Sequence, residues 1–235
     1  MDAFAYDLHI HTALSPCGDE DMTPNNIANM AYLKGLDVIA VTDHNSCRNV
    51  SAVQKCGANA GVTVIPGMEV ETSEEVHMVC LFKSLGDAYE MEEYVLSHLP
   101  EIKNKPEIFG RQLVMDENDQ ITDIKENLLI TATTLSVYDV FDAAKRIGAA
   151  VFPAHIDKQS YSIISNLGFI PPELKFKLAE IKDKSKKDEI VQKHRLENVK
   201  ILHNSDAHYL ENIAERENFL HAKGKDLQSV FECLI

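Results

Sequence analysis

A chain of 235 residues with 45% apolar and 26% charged side chains can bury one sizeable core and has an ordinary soluble balance. Its formal net charge of −14 argues against nonspecific adhesion to nucleic acid, which relies on Lys and Arg displacing counterions. Five cysteines without a CxxC pair argue against a disulfide framework and suit a reducing cytoplasm, and neither a ~20-residue apolar span nor a basic-then-apolar leader is present.

In chain order, Ala5–Ile10 reads as a strand and Thr23–Lys34 as a helix, opened by a Thr-Pro cap and closed at Gly35. Asp37–Thr42 is the second strand, followed by a helix around Asn49–Cys56. Val62–Ile65 and His77–Phe82 are the third and fourth strands. The stretch Tyr89–Thr134 breaks the alternation. Within it, Gln112–Met115 and Ile121–Ile124 flank the turn Asp116-Glu117-Asn118-Asp119-Gln120, which predicts a hairpin inside an inserted excursion. A helix over Val137–Ile147 precedes a strand at Ala149–Phe152. Leu178–Ile181 and Val199–His203 complete the strands, with the charged segment Lys182–Arg195 between them as a solvated helix. Alternating strands and helices predict parallel βα units, about seven in number, and therefore one α/β domain over 1–235 built as a distorted barrel.

The chemistry-bearing residues fall at strand ends. His9 and His11 lie one strand period apart, so both imidazoles face the same way and can hold one metal ion. Asp43-His44 follows the second strand, Glu69 the third, His155 the Ala149–Phe152 strand, and Asp206-Ala207-His208 the last. In a parallel α/β architecture the C-terminal strand ends meet at one mouth. Imidazoles and carboxylates gathered there would repel or stay unsatisfied, and a divalent metal cluster resolves that conflict.

Read in order, HIH, TDH, PGxE, a lone His, PAH and SDAH resemble the PHP (polymerase and histidinol phosphatase) family, with motifs running from Tyr6 to His208. The resemblance implies a distorted barrel of seven βα units and hydrolysis of phosphate esters by a hydroxide bridging two or three divalent ions (Zn, Mn or Fe). It implies one metal on His9, His11, Glu69 and Asp206, a second on bridging Glu69 with His77 and His155, and a third on Asp19, His44 and His208. Asp19 is chosen for its spacing to Thr23-Pro24, and Glu20 or Asp21 could take its place. His98, His194, His203 and His221 fall outside the pattern.

Asp43 is a candidate for orienting a ligand imidazole or accepting a proton. Asp43 or Asp206 could protonate a leaving group. Cys17 and Cys47, close to these residues in sequence, read as packing residues. Arg48 and Lys158, just beyond ligand-bearing strand ends, are candidates for a phosphoryl oxygen. Tyr161 and Asn166–Pro172 read as a loop over the mouth. With no Lys/Arg-rich stripe, the expected partner is a small phosphorylated molecule, with neither membrane nor stable nucleic-acid binding. Two other readings are a non-catalytic metal-binding or regulatory PHP module and a PHP nuclease acting on oligonucleotides. An amidohydrolase-like barrel also uses HxH and a late Asp, but it usually adds a carboxylated Lys that has no obvious counterpart here.

Overall fold

The computed structural model describes all 235 residues. It begins with β1 (Asp2–Ile10), α1 (Pro24–Leu33), β2 (Val38–Val41), α2 (Val50–Ala60), β3 (Thr63–Glu71) and β4 (His77–Leu81). Next come α3 (Leu85–Leu96), the single-turn α4 (Pro106–Phe109), β5 (Leu113–Met115), β6 (Ile121–Ile124), α5 (Val137–Ile147) and β7 (Ala150–Pro153). The chain finishes with α6 (Ile163–Leu167), β8 (Leu178–Glu180), α7 (Lys187–His194), β9 (Lys200–Leu202), β10 (Phe219–Ala222) and α8 (Leu227–Phe231).

Local chemistry sets the helix ends. Thr23 caps α1 through its hydroxyl, which accepts from the Asn26 amide, and Pro24 fills the first turn. Ser136 and Asp139 form a reciprocal capping box on α5, and Gly148 ends it at φ 81°.

The main sheet runs β10-β1-β2-β3-β4-β7, and β8 pairs with β9. The two parts join at their edges. The Ile156 amide, just after β7, donates to the Glu180 carbonyl of β8, and Ala207, beyond β9, bridges to Ile10 of β1. β1, β2, β3, β4, β7, β8 and β9 thus follow one another around a distorted barrel, with β10 added to the first half of β1. This is the α/β fold the sequence implies.

Strand direction departs from the simple parallel expectation. β4 is antiparallel to both β3 and β7, and β10 is antiparallel to β1. The cause is connection length. Only residues 72–76 join β3 to β4, enough for a hairpin and too few for the crossover of a dozen or more residues that parallel strands require. The excursion also starts later than the sequence suggests. Tyr89 lies inside α3, a regular helix capped by Ser84 and packed on the barrel through Ala88, Met91 and Val95. The β5–β6 hairpin forms as expected.

Period-two alternation splits the core into two layers. Leu8, Val38, Ala40, Ile65, Val79, Leu81, Phe152 and Leu202 fill the barrel, and Val230, Phe231 and Leu234 in and after α8 pack with them. Ile39, Val41, Met68, Val70, Met78 and Cys80 face the surrounding helices. On β1 the parity changes. Tyr6 and Leu8 belong to the inner layer and Ile10 to the outer, across a register shift between Asp7 and Ile10. That irregularity turns His9 and His11 toward the barrel interior.

Candidate metal centre

His9 and His11 project from the end of β1, and hydrogen bonds fix both tautomers. His9 Nδ1–H donates to the Glu180 carboxylate at 3.0 Å, leaving Nε2 as the free lone pair. His11 Nδ1–H donates to Ser15 Oγ at 2.9 Å, and Ser15 in turn donates to Asp43 Oδ1 at 2.7 Å. The two free Nε2 atoms lie 3.2 Å apart. His9 Nε2 is 3.2 Å from Glu69 Oε1 and 3.5 Å from Asp206 Oδ1, and His11 Nε2 is 3.4 Å from both Glu69 Oε2 and Asp206 Oδ1.

Glu69 stands at the centre. Its inner-layer position on β3 also places it 3.0 Å from His77 Nδ1, 3.2 Å from His44 Nδ1 and 3.5 Å from His155 Nε2. His208 completes the ring of imidazoles by stacking on His11 with centroids 4.1 Å apart. His155 and Asp206 hold left-handed backbone, at φ 29° and 51°, which re-aims both side chains at strand ends.

Burial, the carboxylates and the neighbouring imidazoles pull the groups of the centre in opposite directions. Burial pushes the His9 imidazole down, but Glu180, Glu69 and Asp206 raise it well above its ordinary value. Burial pushes Glu69 up, yet His77, His9 and His44 hold it well below the usual carboxylate range. Burial and then the neighbouring His11 charge lower His44 well below its ordinary value and His208 to about 3. Several donor atoms have no hydrogen-bond partner although they are buried: His44 Nδ1, Glu69 Oε2, Glu71 Oε2, His77 Nε2 and His155 Nδ1. Orphaned lone pairs this dense fit divalent cations. Three sets bring their donor atoms within 4.8 Å of one another: His9, His11 and Asp206; His44, Glu69 and His77; and His11, His44 and His208.

The structure thus gathers His9, His11, His44, Glu69, His77, His155, Asp206 and His208. Asp19 is not in these sets. Its amide donates to the His208 carbonyl at 2.9 Å, while its carboxylate accepts from the Asp21 amide. Glu20 pairs with Arg111, and Asp21 is exposed.

Asp43 keeps one expected role, orienting a ligand imidazole, and Arg48 changes its role. Asp43 is wholly buried and accepts from the Thr12 amide, the Thr12 hydroxyl and the Ser15 hydroxyl, so it holds Ser15 against His11 and presents no free oxygen to the mouth. Arg48 lies over Tyr89 and pairs with the buried Glu92 at 2.7 Å, turned to helix α3 instead of the centre. Lys158, in contrast, reaches Asp206 Oδ2 at 2.5 Å, with Lys182 at 3.6 Å. Cys47 packs in the core, and burial pushes the Cys17 thiol up to about 12, so neither is poised as a thiolate.

Sequence reasoning missed Glu180, Ser15, Asn204 and Lys182. Glu180 also accepts from the His155 amide at 3.0 Å and from Asn204 Nδ2 at 2.7 Å. Its signal was a carboxylate closing the apolar strand at Leu178–Ile181, a place as informative as that of Glu69.

The PHP domain family model matches residues 7–166, more than half of the chain and the segment that contains HIH, TDH, Glu69, His77 and His155. The chain belongs to the PHP domain family. Glu180, Asp206 and His208 lie beyond the matched segment.

Over 76 residues it is 40% identical to an uncharacterized protein of Methanocaldococcus jannaschii, covering 29% of this chain and 44% of that one. Over 79 residues it is 30% identical to a 5'-3' exoribonuclease of Haemophilus influenzae, covering 32% of this chain and 28% of that one. The chain therefore spans less than half of either relative. Endonuclease Q of Pyrococcus furiosus superposes with a TM-score of 0.69 at 18% identity, covering 99% of this chain and 56% of that one. A structure of endonuclease Q with a 27-mer duplex bearing an abasic lesion gives 0.67 at 18%, covering 98% and 56%. A candidate metal-dependent phosphoesterase of Bifidobacterium adolescentis gives 0.62 at 17%, covering 98% and 96%.

These relatives overturn the expected partner, a small phosphorylated molecule without stable nucleic-acid binding, because both the exoribonuclease and endonuclease Q are named for nucleic-acid cleavage. The expectation rested on the net charge of −14 and the lack of a Lys/Arg-rich stripe, and neither describes the mouth, where Lys158 and Lys182 lie beside Asp206. No helix is long and apolar enough to cross a membrane.

Proposed function

We propose that residues 1–235 form one catalytic unit that hydrolyses phosphodiester bonds of nucleic acid, with two or three Zn, Mn or Fe ions as cofactor. The observation that carries this is the ring of six imidazoles, five of them buried, around Glu69 and Asp206, with orphaned donor atoms on one side and a lysine pair on its rim.

In this reading His9, His11, Glu69 and Asp206 would hold one ion. Glu69, His77 and His155 would hold a second, and His44 and His208 a third, with Asp19 as the expected acidic ligand and His11 within 4.8 Å of that pair. Bound ions supply Lewis acidity and an acidic water. Glu180 and the Ser15–Asp43 pair keep His9 and His11 in the tautomers that leave Nε2 free. Lys158 neutralises a phosphoryl oxygen at the rim, where Asp206 raises its pKa against the effect of partial burial. A filled ligand ring favours catalysis over a purely regulatory module. Five free cysteines suit a reducing compartment such as the cytoplasm.

The test uses protein loaded with Mn²⁺, Zn²⁺ or Fe²⁺ and end-labelled single-stranded RNA, single-stranded DNA, duplex DNA and abasic duplex. Cleavage of at least one is expected, with at least about two metal equivalents per chain by elemental analysis. Fully loaded protein that leaves all four intact would overturn the proposal.

A further inference from the structure

The loop after β7 carries a feature that the metal centre does not use. Tyr161 lies against the outer face of the His77 imidazole, with ring centroids 4.7 Å apart and planes 27° apart, yet remains 46% exposed. Its backbone is left-handed at φ 56°, a conformation that a bulky side chain rarely adopts without a reason. The fold enforces it: the Tyr161 carbonyl accepts from the His77 amide at 3.0 Å, and Ser162 donates to the Lys158 carbonyl at 2.9 Å while capping α6.

The adjoining lysines are tied to the same frame. Asp157, next to Lys158, accepts from the amides of Lys182 and Asp183 at 2.8 and 2.9 Å, which clamps the loops after β7 and β8 together. An open aromatic face and two ammonium groups therefore stand on two clamped loops at the rim of one buried cluster. This is the combination that grips a nucleotide: a π-face for any base and cations for the phosphate beside it. Core packing alone does not account for a tyrosine here, because nearly half of the residue's surface stays open.

We propose that Tyr161 is a nucleobase-stacking platform, with Lys158 and Lys182 as its phosphate clamp, so that the chain takes hold of an unpaired nucleotide next to the phosphate it cleaves. This rests on the reading of the chain as a nucleic-acid phosphodiesterase. It adds to that reading a preference for bases freed from a duplex, since a paired base keeps its faces inside the stack.

The metal-loaded protein is given dinucleotides, each with a single phosphodiester, carrying 2-aminopurine or an abasic residue on either side. Stacking quenches 2-aminopurine on mixing, before turnover, so binding is read apart from hydrolysis. Wild type should quench one of the two isomers and show a KM about tenfold lower for it than for its abasic counterpart, the scale of one base–aromatic stack. Tyr161→Asn, which tolerates the left-handed backbone, should lose both the quenching and the KM difference. Tyr161→Phe should keep both, and Lys182→Gln should raise KM for base-bearing and abasic substrates alike. Quenching and discrimination unchanged in Tyr161→Asn, or absent in wild type, overturn the platform. Tyr161-dependent quenching by loaded protein that leaves the dinucleotides and all four oligonucleotides intact would sink the phosphodiesterase reading and leave the platform standing.

Discussion

The two sides of the metal centre differ in what the protein itself satisfies. On the β1, β8 and β9 side, His9 is held by Glu180, Glu180 is also bonded to Asn204 and the His155 amide, and His11 is held through Ser15 by Asp43. On the β3–β4 side, Glu69 Oε2, Glu71 Oε2 and His77 Nε2 are buried without partners, as are His44 Nδ1 and His155 Nδ1 beside them. The first side is preorganised by hydrogen bonds and the second is left for cations to complete. Aim is thus set by residues that need not touch an ion, while the driving force for binding comes from atoms with nothing else to bind.

Removing a group that lines the centre should have the largest effect. Asp206→Asn or His155→Ala is expected to lower kcat/KM on a cleaved oligonucleotide by about 10²–10³-fold or more, the scale of losing a group aimed at transition-state charge. Circular dichroism should show the fold retained. Near-wild-type rates with metal content verified would place the chemistry elsewhere.

Chelation probes the asymmetry directly. Stripping divalent metal should lower Tm, since ions at about 100 times their Kd contribute about 2.7 kcal/mol. Hydrogen exchange should then quicken at the joined ends of β3 and β4, where the orphaned atoms lie, and much less in β8 and β9. A uniform change across both sides would refute the division.

A smaller effect is expected at Glu180. Glu180→Gln keeps an oxygen that can accept from His9 but removes the charge that makes the imidazole a stronger donor. Metal affinity should fall about 10–100-fold, measured by chelator competition. Unchanged affinity would make Glu180 a strand anchor only.

Much of this was legible in sequence because most of the motifs mark a strand end. HIH, TDH, His155 and SDAH lie at the strand ends expected, Glu69 lies inside a β3 that runs on to Glu71, and α5 spans Val137–Ile147 as the sequence reads. What escaped was non-local. Glu180 meets His9 across 171 residues, and no local pattern pairs them. The 72–76 hairpin escaped because β3 was ended at Ile65, which hid how short the link to β4 is. Asp19 shows how little spacing says of aim: its distance from Thr23-Pro24 fits and its amide bonds the His208 carbonyl, while its Oδ1 accepts from the Asp21 amide.

The smallest effect on catalysis is expected at Arg48, where the sequence pointed to substrate and the structure points to a helix. Glu92 is fully buried in α3; its Oε1 accepts from the Ser46 hydroxyl and the Cys47 amide, and Arg48 lies against its Oε2. The arrangement pins the loop that follows His44 to α3. Arg48→Gln leaves a buried carboxylate short of its charged partner, so stability should fall by about 1–3 kcal/mol in urea unfolding. KM should stay within about twofold, because the guanidinium does not face the centre. His98→Ala and His221→Ala set the baseline. His98 bonds the Tyr94 carbonyl on α3 and His221 is exposed on β10, so each should leave kcat/KM unchanged. A raised KM in Arg48→Gln with stability intact would return the arginine to the phosphate and would mean that the loop after β2 opens onto the substrate path.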